Sequence, residues 1–168
     1  IEIGKNSKVH KSLFRIHGNN NEIYIGQNVE IGPDCSFWME GNNIKIFIED
    51  NCTFTRNVQV NAQENNSRII IGNDCMFSNT ICIRTSDSHS IYDINTNKRI
   101  NLPKDVTIGN HVWIAPNVKI MKGVTIGDDS IIGSDTIVTK NVGNNCLAVG
   151  YPAKEVKYNI NWSRERLF

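Results

Sequence analysis

An all-β parallel solenoid is what this sequence specifies, and three features specify it. Ile occurs 25 times while Leu and Ala occur four times each; β-branched Ile suits strands, whereas Leu and Ala favour helices. Asn occurs 24 times, and Asn tolerates left-handed backbone and bonds its own chain in tight turns. A six-residue period also runs through the chain, matching neither a helical face nor simple strand alternation.

The period is plainest from Ile108 onward: IGNHVW, IAPNVK, IMKGVT, IGDDSI, IGSDTI, VTKNVG. Each unit opens with Ile or Val and carries Val, Ser or Thr fifth. Three units make a triangular coil of 18 residues, so Ile108 stacks on Ile126, Ile114 on Ile132 and Ile120 on Val138, with coils about 4.8 Å apart. The units IGQNVE, IGPDCS, IEDNCT and IGNDCM carry the register back toward Ile3. Asn-rich insertions near 17–22, 41–45 and 62–68 read as turns or small bulges. A longer interruption, 84–104, is an excursion loop, and such loops on regular scaffolds are usually functional. The tail 157–168, ending NWSRERLF, is expected to cap the open end of the core, with one helical turn. The 168 residues are read as a single domain, 1–168, with one core.

A formal net charge of +1 gives no strong pull toward nucleic acid or an anionic membrane. No apolar run approaches the roughly 18 residues of a membrane span, and no basic-then-apolar leader opens the sequence. Of five cysteines, Cys35, Cys52 and Cys75 fall at the inward fifth position and read as small core residues. Cys82 and Cys146 lie off that register. Without a CxxC pair, neither a disulfide framework nor a zinc site is expected, and a cytoplasmic location follows as the simplest compartment. Among the four histidines, His10 and His17 lie in the irregular first coils, and His111 sits at a turn expected to face solvent. His89, in TSDSHSIYD, lies where the register breaks into the long loop.

The segment DSHSIYD, the polar loop, the repeats IGNHVWIAPNVKIMKGVTIGDDSIIGSDTIVTKNV and the exit AVGYPAKEVK together resemble the hexapeptide-repeat acetyltransferases. The resemblance is dense over about 71–157. It is closest to the family members that acetylate carbohydrate hydroxyls of capsules and lipopolysaccharides, the polysialic acid O-acetyltransferase type among them. The resemblance implies a left-handed β-helix; the period alone gives only a solenoid, since crossovers between parallel strands are otherwise right-handed in roughly 98% of cases. It also implies acetyl-CoA as co-substrate with no metal, a carbohydrate acceptor, and a homotrimer with active sites between subunits. A flank with Phe47, Phe54 and Phe77 would support close subunit contact.

Carried over from the family, His89 is the general base for a sugar hydroxyl; imidazole titrates near about 6.5, so its neutral form is available at cellular pH. Trp113, 24 residues later, matches a Trp at the acetyl and pantetheine end of the site. A cofactor groove is expected from Trp113 past Ala115 and Ser134 to Thr139 and Lys140, with Lys154 and Lys157 at the phosphate end, where cations answer the charge. Pro116 departs from the pattern: relatives use a backbone N–H there to steady the thioester oxyanion, and proline has none. Either another amide serves or the acetyl group sits differently. Asp87, two residues before His89, is a candidate to orient the imidazole or touch the acceptor. Asn61 and Tyr92 are candidate acceptor contacts. The loop cations Arg84, Lys98, Arg99 and Lys104 outnumber Asp87 and Asp93, which suits an acidic, sialic-acid-like polymer.

Three alternatives stay open on sequence. One is N-acetylation of an amino-sugar nucleotide by the same chemistry. Another is a zinc-dependent carbonic anhydrase on this fold, whose three histidines would have to come from spacings of 7, 72 and 22. The third is a non-catalytic solenoid used for binding or assembly.

Overall fold

The computed structural model describes residues 1–167. It is built from eighteen short strands, and no helix occurs among the described residues. The strands lie on three faces of a prism, visited in turn once per coil. The first face stacks Glu2–Ile3, Glu22–Ile25, Lys45–Ile48, Arg68–Ile71, Val106–Ile108 and Thr125–Ile126 as one parallel sheet. The second and third faces join into a larger sheet, because Thr53–Gln63 and Met76–Arg84 each run unbroken around the corner between them.

The predicted stacking is present: Ile108 pairs with Ile126, Ile114 with Ile132 and Ile120 with Val138. These side chains, with Val112, Val118, Val124, Ser130 and Thr136 at fifth positions, are buried. Cys35, Cys52 and Cys75 are buried as expected, and the core is one continuous cluster from Ile23 to Ala148. Second-position glycine is required by close approach: a Cβ on Gly109 would come within 2.3 Å of Asp128 Oδ1 in the next coil.

The coil length is not uniform. Tyr24 pairs with Phe47 and Phe47 with Ile70, so the early coils advance 23 residues rather than 18. The Asn-rich insertions are therefore more than bulges. They lengthen the third-face strands to Leu13–His17 and Ser36–Glu40 and widen the corner that follows. At that corner Asn19, Asn42 and Asn65 form a ladder, with Asn65 Oδ1 accepting from Asn42 N–H (2.8 Å) and Asn42 Oδ1 from Asn19 N–H (2.8 Å). A second ladder links Asn6, Asn28 and Asn51 at the corner between the first and second faces, each in left-handed backbone.

Two further expectations change. The tail is not helical: Lys154–Tyr158 is a strand antiparallel to Cys146–Val149, and the chain then runs back along the corner between the first and second faces. Phe54 and Phe77 stack in the core (4.5 Å between ring centroids) and meet no neighbour, because their coil positions face inward; Phe47 alone of the three faces outward.

Candidate active site

The excursion loop leaves after Arg84 and returns at Val106, over the corner between the third and first faces. Two ion pairs tie it down. Arg99 grips Glu64 through both Nη atoms (2.5 and 2.7 Å), and Lys122 Nζ reaches Asp87 Oδ2 (2.5 Å). The Arg99 guanidinium holds the Glu64 carboxyl below the ordinary carboxylate range, and Lys122, with Asn101, does the same for Asp87. Between these ties sits Asn101, 8% exposed. Its Nδ2 donates to the His89 carbonyl (2.8 Å) and to Asp87 Oδ2 (2.9 Å), and its Oδ1 accepts from Ile91 N–H (2.7 Å). Ser88, in left-handed backbone, donates its hydroxyl to Gln63 Oε1 (2.9 Å). The backbone on both sides of His89 is thus fixed, while the imidazole itself is exposed and bonded to nothing among the described residues.

Asp87 is spent on Lys122 and Asn101 and makes no hydrogen bond to the imidazole. Tyr92 is 57% exposed on a small hairpin that bridges to Arg99. Of the loop cations, Arg99 is consumed by Glu64. Arg84 instead lies on the third face and lines a cavity of about 390 Å3 with Met121, Thr139 and Tyr151. Asn61 is the register partner of Arg84 one coil earlier.

Trp113 is elsewhere. It stands on the second face, between Met76 and Ile131, and Leu147 and Lys157 continue the same outward column. One protomer therefore presents His89 and Trp113 on different sides of the prism. The groove expected from the spacing divides likewise. Ala115, 5% exposed, and Ser134 lie at the corner between the second and third faces. Thr139 and Lys140 lie at the His89 corner, and Lys154 and Lys157 on the terminal strand of the second face. The amides flanking Pro116 are engaged between coils, Ala115 N–H to Ile132 O (2.9 Å) and Asn117 N–H to Asn79 O (3.0 Å). Neither can serve as the missing oxyanion donor.

His111, expected to face solvent, is instead covered by the C-terminal tail. It is half-buried: Nδ1 is 2.7 Å from Asp74 Oδ2 and Nε2 is 3.0 Å from the Trp162 carbonyl, with the two rings stacked at 4.2 Å. Burial opposes its charge, but Asp74 and the Trp162 carbonyl outweigh this and raise its pKa. Arg164 anchors the same tail on Asp74 (2.7 Å). Trp162 in turn lies 6.1 Å from Trp113, centroid to centroid, so the tail walls one side of that residue. Among the described residues no three His, Cys, Asp or Glu side chains gather as a metal-ligand set. No helix among the described residues is long and apolar enough to cross a membrane.

The bacterial transferase hexapeptide family (six repeats) matches residues 105–140. The solved structure of the polysialic acid O-acetyltransferase OatWY is 32% identical, with 99% of this chain and 93% of that one covered and a TM-score of 0.70. The chain belongs to the hexapeptide-repeat acetyltransferases. The polySia specific acetyltransferase NeuO is 31% identical over 96% of this chain and 88% of its own, with a TM-score of 0.58. A polysialic acid O-acetyltransferase of Escherichia coli O1:K1 / APEC is 52% identical over 81 residues, 48% of this chain. That match spans about a quarter of the curated relative's length (26%). Family membership gives the solenoid its left hand.

Proposed function

We propose that this protein moves an acetyl group from acetyl-CoA to a hydroxyl of a carboxylated surface polysaccharide or its precursor, with His89 as general base. The observation that carries the reading is His89 itself: an exposed imidazole with no partner among the described residues, on a loop whose backbone is pinned at residues 88, 89 and 91. A base must be held in place yet free to accept a proton. His89 takes the acceptor hydroxyl proton as that oxygen bonds the acetyl carbon and the C–S bond breaks, and the proton passes to the departing thiolate. No acyl-enzyme is needed, which fits five free cysteines, four of them buried; the same thiols fit a reducing cytoplasm.

The site is completed by a second copy of the chain. Trp113 and His89 occupy different faces of one protomer, so a homotrimer that sets the second face of one copy against the loop corner of the next would unite them. On the second face, Trp113, Ile131 and Leu147 form a straight apolar column ending at Lys157, three strand spacings or about 14 Å away. That column suits the pantetheine arm, with Lys154 and Lys157 answering the phosphates. Thr139 and Lys140 would come from the copy that supplies His89. The residues present thus fit a CoA thioester.

The test is acetyl-CoA turnover with carboxylated polysaccharides, wild type against His89→Ala. Removing a general base should lower kcat about 10²- to 10⁴-fold. Undiminished turnover in the variant removes His89 from the mechanism, and transfer to amines alone replaces O-acetylation by N-acetylation.

A further inference from the structure

The third face carries a second cavity toward the N-terminus, of about 320 Å3, which shares Arg84 with the one already described. Its floor is an outward column in consecutive register: Arg15 beside Trp38, Trp38 beside Asn61, Asn61 beside Arg84. Gln59 stands in the adjoining column. The longer early coils extend this face: Arg15 and Trp38 stand on the five-residue strands Leu13–His17 and Ser36–Glu40.

Three properties of the column point to a ligand. Arg15 and Arg84 form no ion pair among the described residues; the Arg15 guanidinium lies 5.7 Å from the Trp38 ring centroid, and Arg84 makes only a 3.7 Å contact to Cys82 Sγ. The nearby carboxylates are occupied, Glu40 by Gln63 Nε2 (3.3 Å) and Asp87 by Lys122. Trp38 Nε1 is shielded from solvent and has no hydrogen-bond acceptor among the described residues, so what the indole offers the groove is its ring. Two unpaired guanidiniums, an indole and two amides on one wall are what a carboxylated sugar chain needs. Arg takes carboxylate in bidentate fashion, the indole covers an apolar sugar face, and the amides bond hydroxyls. The column also leads to the reacting position, because Gln63, two residues beyond Asn61, accepts from the Ser88 hydroxyl next to His89.

We propose that the groove from Arg15 to Arg84 is a binding track for an anionic glycan chain, holding the acceptor on the N-terminal side of His89. It rests on the carbohydrate reading above and extends it to residues outside the loop. The track spans three strand spacings, about 14 Å.

The experiment is isothermal titration, without acetyl-CoA, of polysialic acid and of the same polymer with its carboxylates reduced to alcohols. Wild type should bind the native polymer, with affinity falling as salt rises, and should bind the reduced polymer weakly. Arg15→Gln, Arg84→Gln and Trp38→Leu should each weaken binding about tenfold or more, while Trp38→Phe, which keeps the ring, should retain most of it. In turnover the Arg15→Gln loss should appear in KM for the polymer and not in KM for acetyl-CoA. Unchanged affinity in both arginine variants, equal binding of native and reduced polymer, or no binding by wild type overturns the track. A shift of Arg15→Gln to a smaller oligomer in sedimentation does so too, since the face would then be a contact between copies. Binding as described with no acetyl transfer to any carbohydrate overturns the catalytic reading alone.

Discussion

Asn101 bonds three neighbours at once around His89, and no feature of its local sequence announces this. Asn101→Ala leaves the His89 carbonyl, Asp87 and the Ile91 amide each short of a partner. It should cost about 2 kcal/mol of loop stability and lower kcat roughly ten- to a hundredfold with KM for acetyl-CoA held. Steady-state kinetics beside limited proteolysis of the loop separates the two effects. The ion pairs add a pH dependence. Asp87 and Glu64 have depressed pKa values, so their contribution is present above the unfolded carboxylate range, near about 4, and is lost as pH falls through the depressed values. Loop protection against protease should therefore hold at neutral pH and fail under acid, and Asp87→Asn should flatten that transition. His89 was singled out by the resemblance that DSHSIYD carries, at the point where the register breaks. Its supports were not, because Glu64, Arg99 and Lys122 are ordinary polar residues that only the return of the loop brings together.

At the scale of elements, the corners explain the composition. Asn28 has φ +54° and bridges Asn6 and Asn51. Asn28→Ala should cost about 1–2 kcal/mol from left-handed strain, visible as a lower Tm, whereas Asn28→Gly should cost less. The sequence marked these positions as turns but could not show that their amides stack into ladders, since that depends on coil length. The tail is the other element that local pattern misjudged. Trp162, in the NWSRERLF segment read as one helical turn, instead docks on His111. For both ring nitrogens to donate, to Asp74 and to the Trp162 carbonyl, the imidazole must be protonated. Its raised pKa means this stabilisation is complete below about 6.5 and is lost as pH rises through the folded-state value. Asp129 adds to the raising field, while Arg164 pairs with the same Asp74. Tail cleavage by protease should accelerate over that rise in wild type and show no such step in His111→Gln.

For the whole molecule, the separation of His89 from Trp113 has a measurable consequence. If each site draws one residue from each of two copies, His89→Ala and Trp113→Ala proteins are inactive alone but complement when mixed within trimers. Random assortment of equal amounts leaves about a quarter of the sites intact, read as recovered turnover after co-refolding; no recovery places both residues in one protomer. The sequence by itself determined the solenoid, the inward residues, the break at 84–104 and the imidazole within it, because a repeat stacks identical positions and one coil suffices to define them. Tertiary structure decided what a period cannot encode. It set the 23-residue coils that lengthen the third-face strands, the clamp around His89, the reversed tail, and the placement of Trp113 on another face. Each of these depends on where the chain travels in the insertions and how side chains far apart in sequence then meet, and hexad spacing carries no record of either.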